Sequence, residues 1–210
     1  MIYIIDDFLD KELFKVLEKG ATKFAKHDIV AGDKESEHDR TFWLKPPSKA
    51  FNNLMVNKLS EVEGGQVTSI LSFFRQATKS RDNEWAIHND AAINGQQPDK
   101  AIVFYIKCPK QKDINGTALW EHKKHGDTYK GRISKNNFTM PTLENIKDEK
   151  EFHRLLKEDR NDESKWTLKS VIGAKPNRLF SYPSEYFHSK YPKKFTGSRV
   201  VYVMFYKIKY

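Results

Sequence analysis

Apolar residues along this chain change their spacing at Gly64-Gly65. Before that point Leu13, Val16, Leu17, Ala21 and Phe24 recur at the three-and-four interval of one helix face, with Asp10 placed to cap it. Phe51, Leu54, Met55, Leu59 and Val62 repeat the pattern until the glycines stop it. Ile2-Tyr3-Ile4-Ile5 reads as a short strand, and the text from His27 to Pro47 is polar and irregular. After the glycines come QVTSILSFFRQA, WAIH, AIVFYIK and TALW, short runs rich in β-branched and aromatic residues with turn signals between them. TLKSVI, NRLFSY and RVVYVMFYKIK resume the pattern late in the chain, and the last, apolar on both faces, predicts a central, covered strand. The expected fold is mainly β with flanking helices (α+β), a sandwich or barrel preceded by two helices.

A stretch from about His122 to Trp166 splits the strand region. It is dense in Lys, Asp, Glu and Asn, and EFHRLLKEDR within it has room for one short helix. Connections of that length are uncommon in compact domains and serve as lids, binding excursions or exposed insertions. The 210 residues fit a single domain, 1–210, carrying this charged insertion at about 122–166. There is no internal repeat and no glycine-rich phosphate loop.

Hydrophobic residues at 38% and aromatics at 13% suffice for a core, while charged residues at 31% indicate a soluble protein. The net charge of +9 attracts anions, yet the lysines that dominate it are scattered, as on a solvated surface rather than along a nucleic-acid track. Cys108 is the only cysteine, which rules out an intrachain disulfide and suggests a reducing, cytoplasmic setting. The opening MIYIIDDFLD, broken by Asp6 and Asp7, is too short an apolar run for a signal peptide or a membrane span.

Candidate chemistry centres on His88-Asn89-Asp90 and on His188, with Arg199 eleven residues beyond the latter. His88 and Asp90 are two apart at the end of a strand-like run, so both side chains project to one side and can chelate one metal. Two histidines and a carboxylate hold ferrous iron on one face and leave positions open for oxygen chemistry. His125-Gly126-Asp127, with His122, is a rival of the same spacing. Its neighbours are charged and lack a strand pattern, which reads as a solvated basic loop. Arg199 opens an apolar strand, where a guanidinium needs an anionic partner, and a bidentate carboxylate is a natural one.

The order of HxD, the strand with FYIK, NGTALW, a distal histidine and GSRVV resembles the 2-oxoglutarate and iron(II) dependent oxygenases, in particular their prolyl-hydroxylase-like branch. IYIIDDFLDKELFKVL resembles the first strand and helix of those enzymes; residues 27–47 and 122–166 lie outside the likeness. The resemblance implies a double-stranded β-helix, a cupin-like jelly-roll barrel, with the N-terminal helices packed on one sheet. It makes His88, Asp90 and His188 the iron ligands and Arg199 the partner of the distal carboxylate of 2-oxoglutarate. Tyr105 would donate its hydroxyl to that same carboxylate, and Trp120 would occupy an aromatic position near the metal. Family members often carry serine or threonine two residues after the arginine, where this chain has Val201.

The activity so implied is hydroxylation of an unactivated C–H bond with Fe(II), 2-oxoglutarate and O2, releasing succinate and CO2. The prolyl-hydroxylase-like order favours a protein or peptide side chain as substrate. Nucleic acid is less favoured, because the alkylation-repair branch has a second arginine where this chain has Phe205. The same chemistry on a small molecule or nucleic acid, and a non-enzymatic cupin-like metal-binding module, are the alternatives.

Overall fold

The computed structural model describes residues 1–31, 41–82, 85–90, 93, 96–110, 114–127, 130–133, 139–142, 158–194 and 197–210. The chain begins with β1 (Tyr3–Ile5), α1 (Lys11–Ala21), β2 (Ile29–Ala31), β3 (Thr41–Lys45) and α2 (Lys49–Glu63). It continues through β4 (Gln66–Thr78), β5 (Lys100–Lys107), β6 (Gly116–His122), β7 (Lys130–Ile133) and β8 (Thr139–Thr142). It ends with β9 (Trp166–Gly173), β10 (Arg178–Pro183), β11 (His188–Tyr191) and β12 (Ser198–Lys209).

Seven strands form a large antiparallel sheet in the order β1-β10-β5-β12-β4-β3-β2. A smaller antiparallel sheet, β11-β6-β9, is extended by a single bridge from His88 to His188, and β7 pairs with β8 as a separate hairpin. From β9 to β12 successive strands alternate between the small and the large sheet, and the bridged segment at His88 lies on the small sheet between β4 and β5 of the large one. This is the double-stranded β-helix expected from the sequence.

Side-chain alternation shows how two sheets and two helices share the apolar residues. On β12, Val200, Tyr202, Met204 and Tyr206 pack beneath the helices, while Val201, Val203 and Phe205 face the barrel interior. β5 does the same, with Ile102, Phe104 and Ile106 outward and Ala101 and Tyr105 inward. Both strands lie mid-sheet and carry apolar residues on both faces, which is why their sequences lack polar alternation.

Each helix starts at a side-chain cap: Leu13 N donates to Asp10 Oδ1 at 2.9 Å and Phe51 N to Ser48 Oγ at 3.2 Å. Gly64, at φ +68°, ends α2 in the left-handed region that favours glycine. α2 lays Met55 and Leu59, both fully buried, against the large sheet, each burial worth roughly 2–3 kcal/mol. Phe51 packs edge-on to Tyr202, and Phe14 of α1 edge-on to Phe104. Val16, expected on the buried face, is 69% exposed, and Phe14 takes the inward position.

A buried polar knot ties α2 to this sheet. Glu63 Oε1 accepts from Lys100 Nζ and Tyr206 Oη, each at 2.6 Å, and from Ser181 Oγ at 3.4 Å. A second tie joins the segment after β1 to the start of β10. Asn177 Nδ2 donates to Leu9 O at 2.7 Å and Leu9 N to Asn177 Oδ1 at 2.9 Å, while Arg178 Nε donates to Asp6 Oδ1 at 2.6 Å.

The structure differs from the sequence expectation in several places. Residues 27–47 include β2 and β3, which extend the large sheet beyond β4. The run WAIH is an extended segment with one bridge rather than a regular strand. The short helix expected in EFHRLLKEDR falls largely outside the described residues; its end forms a single 3-10 turn, Asp159–Asn161.

Candidate metal centre

The extended segment before β5 carries His88 and Asp90, and the first residue of β11 is His188. Backbone pairing brings them together: His88 N donates to His188 O at 3.0 Å and His188 N to His88 O at 2.7 Å. Asp90 N donates to Ser184 O at 3.0 Å, which anchors the other end of the segment beside β10. One ligand atom from each of His88, Asp90 and His188 then lies within 4.8 Å of the others.

Both imidazoles are turned for coordination. His88 Nδ1 is 3.1 Å from Ala86 O and His188 Nδ1 is 3.0 Å from Tyr186 O. A carbonyl only accepts, so each Nδ1 carries the proton and each neutral ring presents the Nε2 lone pair. The rings stand 4.4 Å apart at 51°.

Burial pushes the imidazolium pKa of His188 down to about 4. His88 is also lowered to about 4, first by the surrounding protein and then by His188. Its surface is nonetheless open to the pocket, so protein density shapes its titration while one side stays accessible. Burial raises the Asp90 carboxyl to about 6, against the pull of His88 and the Tyr182 hydroxyl. At neutral pH the set is two neutral imidazoles and a mostly ionised carboxylate, so the 3.7 Å approach of His188 to Asp90 is not an ion pair.

Tyr182 Oη stands 3.2 Å from Asp90 Oδ2 and 3.0 Å from His188 Nε2. One hydroxyl proton faces two acceptors. A cation on Nε2 and the carboxylate removes that conflict, so the donor set fits a divalent metal of the type that takes two histidines and a carboxylate.

The pocket around the triad has a volume of about 120 Å³. Arg199 lines it and donates from Nη1 to Gly116 O at 2.7 Å. Gly116 is required there, because a Cβ would stand 1.8 Å from Ile172 O. Arg75 lies on the same wall, paired through both Nε and Nη2 with the buried carboxylate of Asp82. Val103, Val201, Val203, Phe73 and Phe205 form the apolar part of the lining.

No protein-family profile and no curated protein matches the sequence. Solved structures do match in shape. A prolyl-4-hydroxylase from Pseudomonas putida superposes with a TM-score of 0.53 at 10% identity, over 99% of this chain and 92% of that one. HygX from Streptomyces hygroscopicus, solved with nickel and 2-oxoglutarate bound, gives 0.56 at 10% identity over 100% and 83%. EctD from S. alaskensis, solved with 2-oxoglutarate and 5-hydroxyectoine, gives 0.57 at 12% identity over 98% and 71%. This chain has the jelly-roll fold of such oxygenases.

Within that fold the residues singled out from sequence occupy different settings. His88, Asp90, His188 and Arg199 line one pocket. Tyr105 is fully buried, with its hydroxyl 2.7 Å from Thr117 Oγ1, and it is Thr117 that reaches the pocket lining. Trp120, expected near the metal, packs instead with Trp85, Trp166 and Phe187 in a separate cluster, and its Nε1 donates to Ser189 Oγ at 2.9 Å.

The rival histidines are buried rather than solvated. His122 Nδ1 accepts from Lys124 N and His125 N at 3.3 and 3.2 Å, which leaves Nε2 to donate to Asp159 Oδ2 at 3.3 Å. Both nitrogens of His122 are engaged with protein, and its ring packs edge-on to Trp166. Sequence reasoning missed Tyr182, Thr117 and Arg75, since a tyrosine, threonine or arginine inside a strand carries no positional signature of a site.

Proposed function

We propose that this protein is a 2-oxoglutarate and Fe(II) dependent dioxygenase that hydroxylates an unactivated C–H bond, with a protein or peptide side chain as substrate. The observation that carries this reading is the convergence of His88, Asp90 and His188 within 4.8 Å on a pocket that Arg199 also lines. In this reading the three residues hold the iron through His88 Nε2, a carboxylate oxygen of Asp90 and His188 Nε2. Bound iron, with 2-oxoglutarate and O2, supplies the oxidant, and succinate and CO2 are the co-products.

The chain's own part is to bind, orient and exclude water. Arg199, held by the Gly116 carbonyl, receives the distal carboxylate of 2-oxoglutarate, a charge-assisted contact. The Thr117 hydroxyl, shared with Tyr105, supplies the polar group that Val201 lacks. The valines and phenylalanines of the lining keep the reacting centre dry.

The size of the pocket supports a side chain as substrate. About 120 Å³ is small beside the roughly 300–1,000 Å³ of pockets that enclose drug-sized ligands. A small dicarboxylate and the tip of a side chain fill such a space, with the rest of the target outside. The shape match to a prolyl-4-hydroxylase agrees with this. The single cysteine, Cys108, is free, consistent with a reducing cytoplasmic setting; no helix among the described residues is long and apolar enough to cross a membrane.

The test is succinate release from 2-oxoglutarate by the Fe(II)-loaded protein, first uncoupled and then with a panel of peptides. Uncoupled turnover is expected, and a substrate peptide should stimulate it. Succinate no higher than in His188→Ala would overturn the proposal.

A further inference from the structure

We propose that Tyr182, on β10, is the positioning residue that makes Asp90 a one-oxygen ligand. This deepens the metal-centre reading and rests on it. Tyr182 is 2% exposed, and its ring stacks on Phe180 at 4.8 Å and 24°, so the hydroxyl has little freedom to leave. That hydroxyl stands 3.2 Å from Oδ2 of Asp90, whereas Oδ1 is the oxygen approaching His188 Nε2, at 3.7 Å. The two oxygens of one carboxylate are therefore distinguished: Oδ2 toward a donor and Oδ1 toward His188 Nε2.

The proton count gives this its force. His188 Nε2 has no proton, because Nδ1 donates to Tyr186 O, so Tyr182 Oη faces two acceptors with one O–H. A metal ion takes the lone pair of Nε2 and leaves the O–H a single acceptor, Asp90 Oδ2. Metal binding and the Tyr182–Asp90 bond then favour each other. A carboxylate bound through both oxygens would occupy a further position on the metal, and the tyrosine prevents this by engaging Oδ2. Partners of this kind, which touch a ligand and not the metal, commonly change metal affinity by about 10–100-fold when removed.

The experiment titrates Co(II) into the metal-free protein under anaerobic conditions and follows its visible absorption, which reports coordination without turnover. Tyr182→Phe should keep the apo melting temperature, weaken Co(II) binding roughly tenfold or more, and change the shape and intensity of the absorption bands. Phe180→Leu, which loosens the stack but keeps the hydroxyl, should preserve the bands. Unchanged affinity and bands in Tyr182→Phe would overturn the role of the tyrosine. So would the same change in Phe180→Leu, since packing would then be the cause. Failure of the unaltered protein to bind Co(II) would overturn the metal-centre reading itself, a separate result.

Discussion

His88 and His188 exchange both backbone hydrogen bonds, at 3.0 and 2.7 Å, from opposite halves of the chain. The pairing sets their rings 4.4 Å apart before any metal is considered. Removing either ring should therefore abolish metal binding while the bridge and the barrel persist. His88→Ala and His188→Ala are expected to lose the weak visible band that Fe(II) and 2-oxoglutarate give together. His125→Ala should retain it, because His125 stacks on a histidine whose two nitrogens are already engaged.

Arg199→Ala should separate co-substrate from metal. Losing a buried guanidinium that pairs with a carboxylate costs about 2–5 kcal/mol of binding, or roughly 30-fold and upward in the dissociation constant. Calorimetric titration is expected to show weakened 2-oxoglutarate binding with unchanged Mn(II) affinity. A parallel loss of metal affinity would instead indicate that the variant disturbs the barrel around Gly116.

Glu63→Ala leaves Lys100 and the Tyr206 and Ser181 hydroxyls facing a vacated position. Both side chains of the ion pair are nearly inaccessible, and breaking such a pair costs about 3–5 kcal/mol. Urea unfolding should show that loss. Burial already lowers the Lys100 pKa in spite of Glu63, and removing the carboxylate should lower it further.

Asp6 is held well below the usual carboxylate range, first by its hydrogen bonds from Arg178 and Lys175. A depressed folded-state pKa stabilises the protein above the unfolded value near pH 4, and the contribution is lost as pH falls through the folded value. The tie is solvent-accessible, so the effect is modest and weakened by salt. Asp6→Asn should therefore lower stability by a small, salt-sensitive amount at neutral pH, and its curve should converge with that of the unaltered protein as pH falls below roughly 4.

The elements legible in the sequence were those whose pattern is enforced locally. β12 read as a covered strand because both its faces are buried, and α2 read as a helix because its apolar residues keep helical spacing up to a left-handed glycine. β3 was invisible because TFWLK follows polar text and is held by pairing with β2 and with β4, contacts between residues apart in sequence. The triad was legible because HxD spacing and a distal histidine leave a trace in the sequence. His122 was misread for the opposite reason: its burial depends on Asp159 and Trp166, far along the chain. Tyr182 looked like one more core aromatic, and only its hydroxyl contacts set it apart.

The tie between His122 and Asp159 bears on how this scaffold tolerates change. His122 also pairs with Trp166, and Lys123 N donates to Lys165 O at 2.9 Å, so the charged excursion leaves and rejoins the barrel at neighbouring points. A loop whose feet are pinned together by the scaffold can lengthen at little entropic expense, about 0.6 kcal/mol for each doubling. None of His88, Asp90, His188 or Arg199 lies on it. Its feet nonetheless brace the candidate site, because Ile87 N donates to Arg160 O at 2.8 Å and Phe187 N to Asp127 O at 3.2 Å, so any change of length has to spare the two feet that hold the neighbours of His88 and His188.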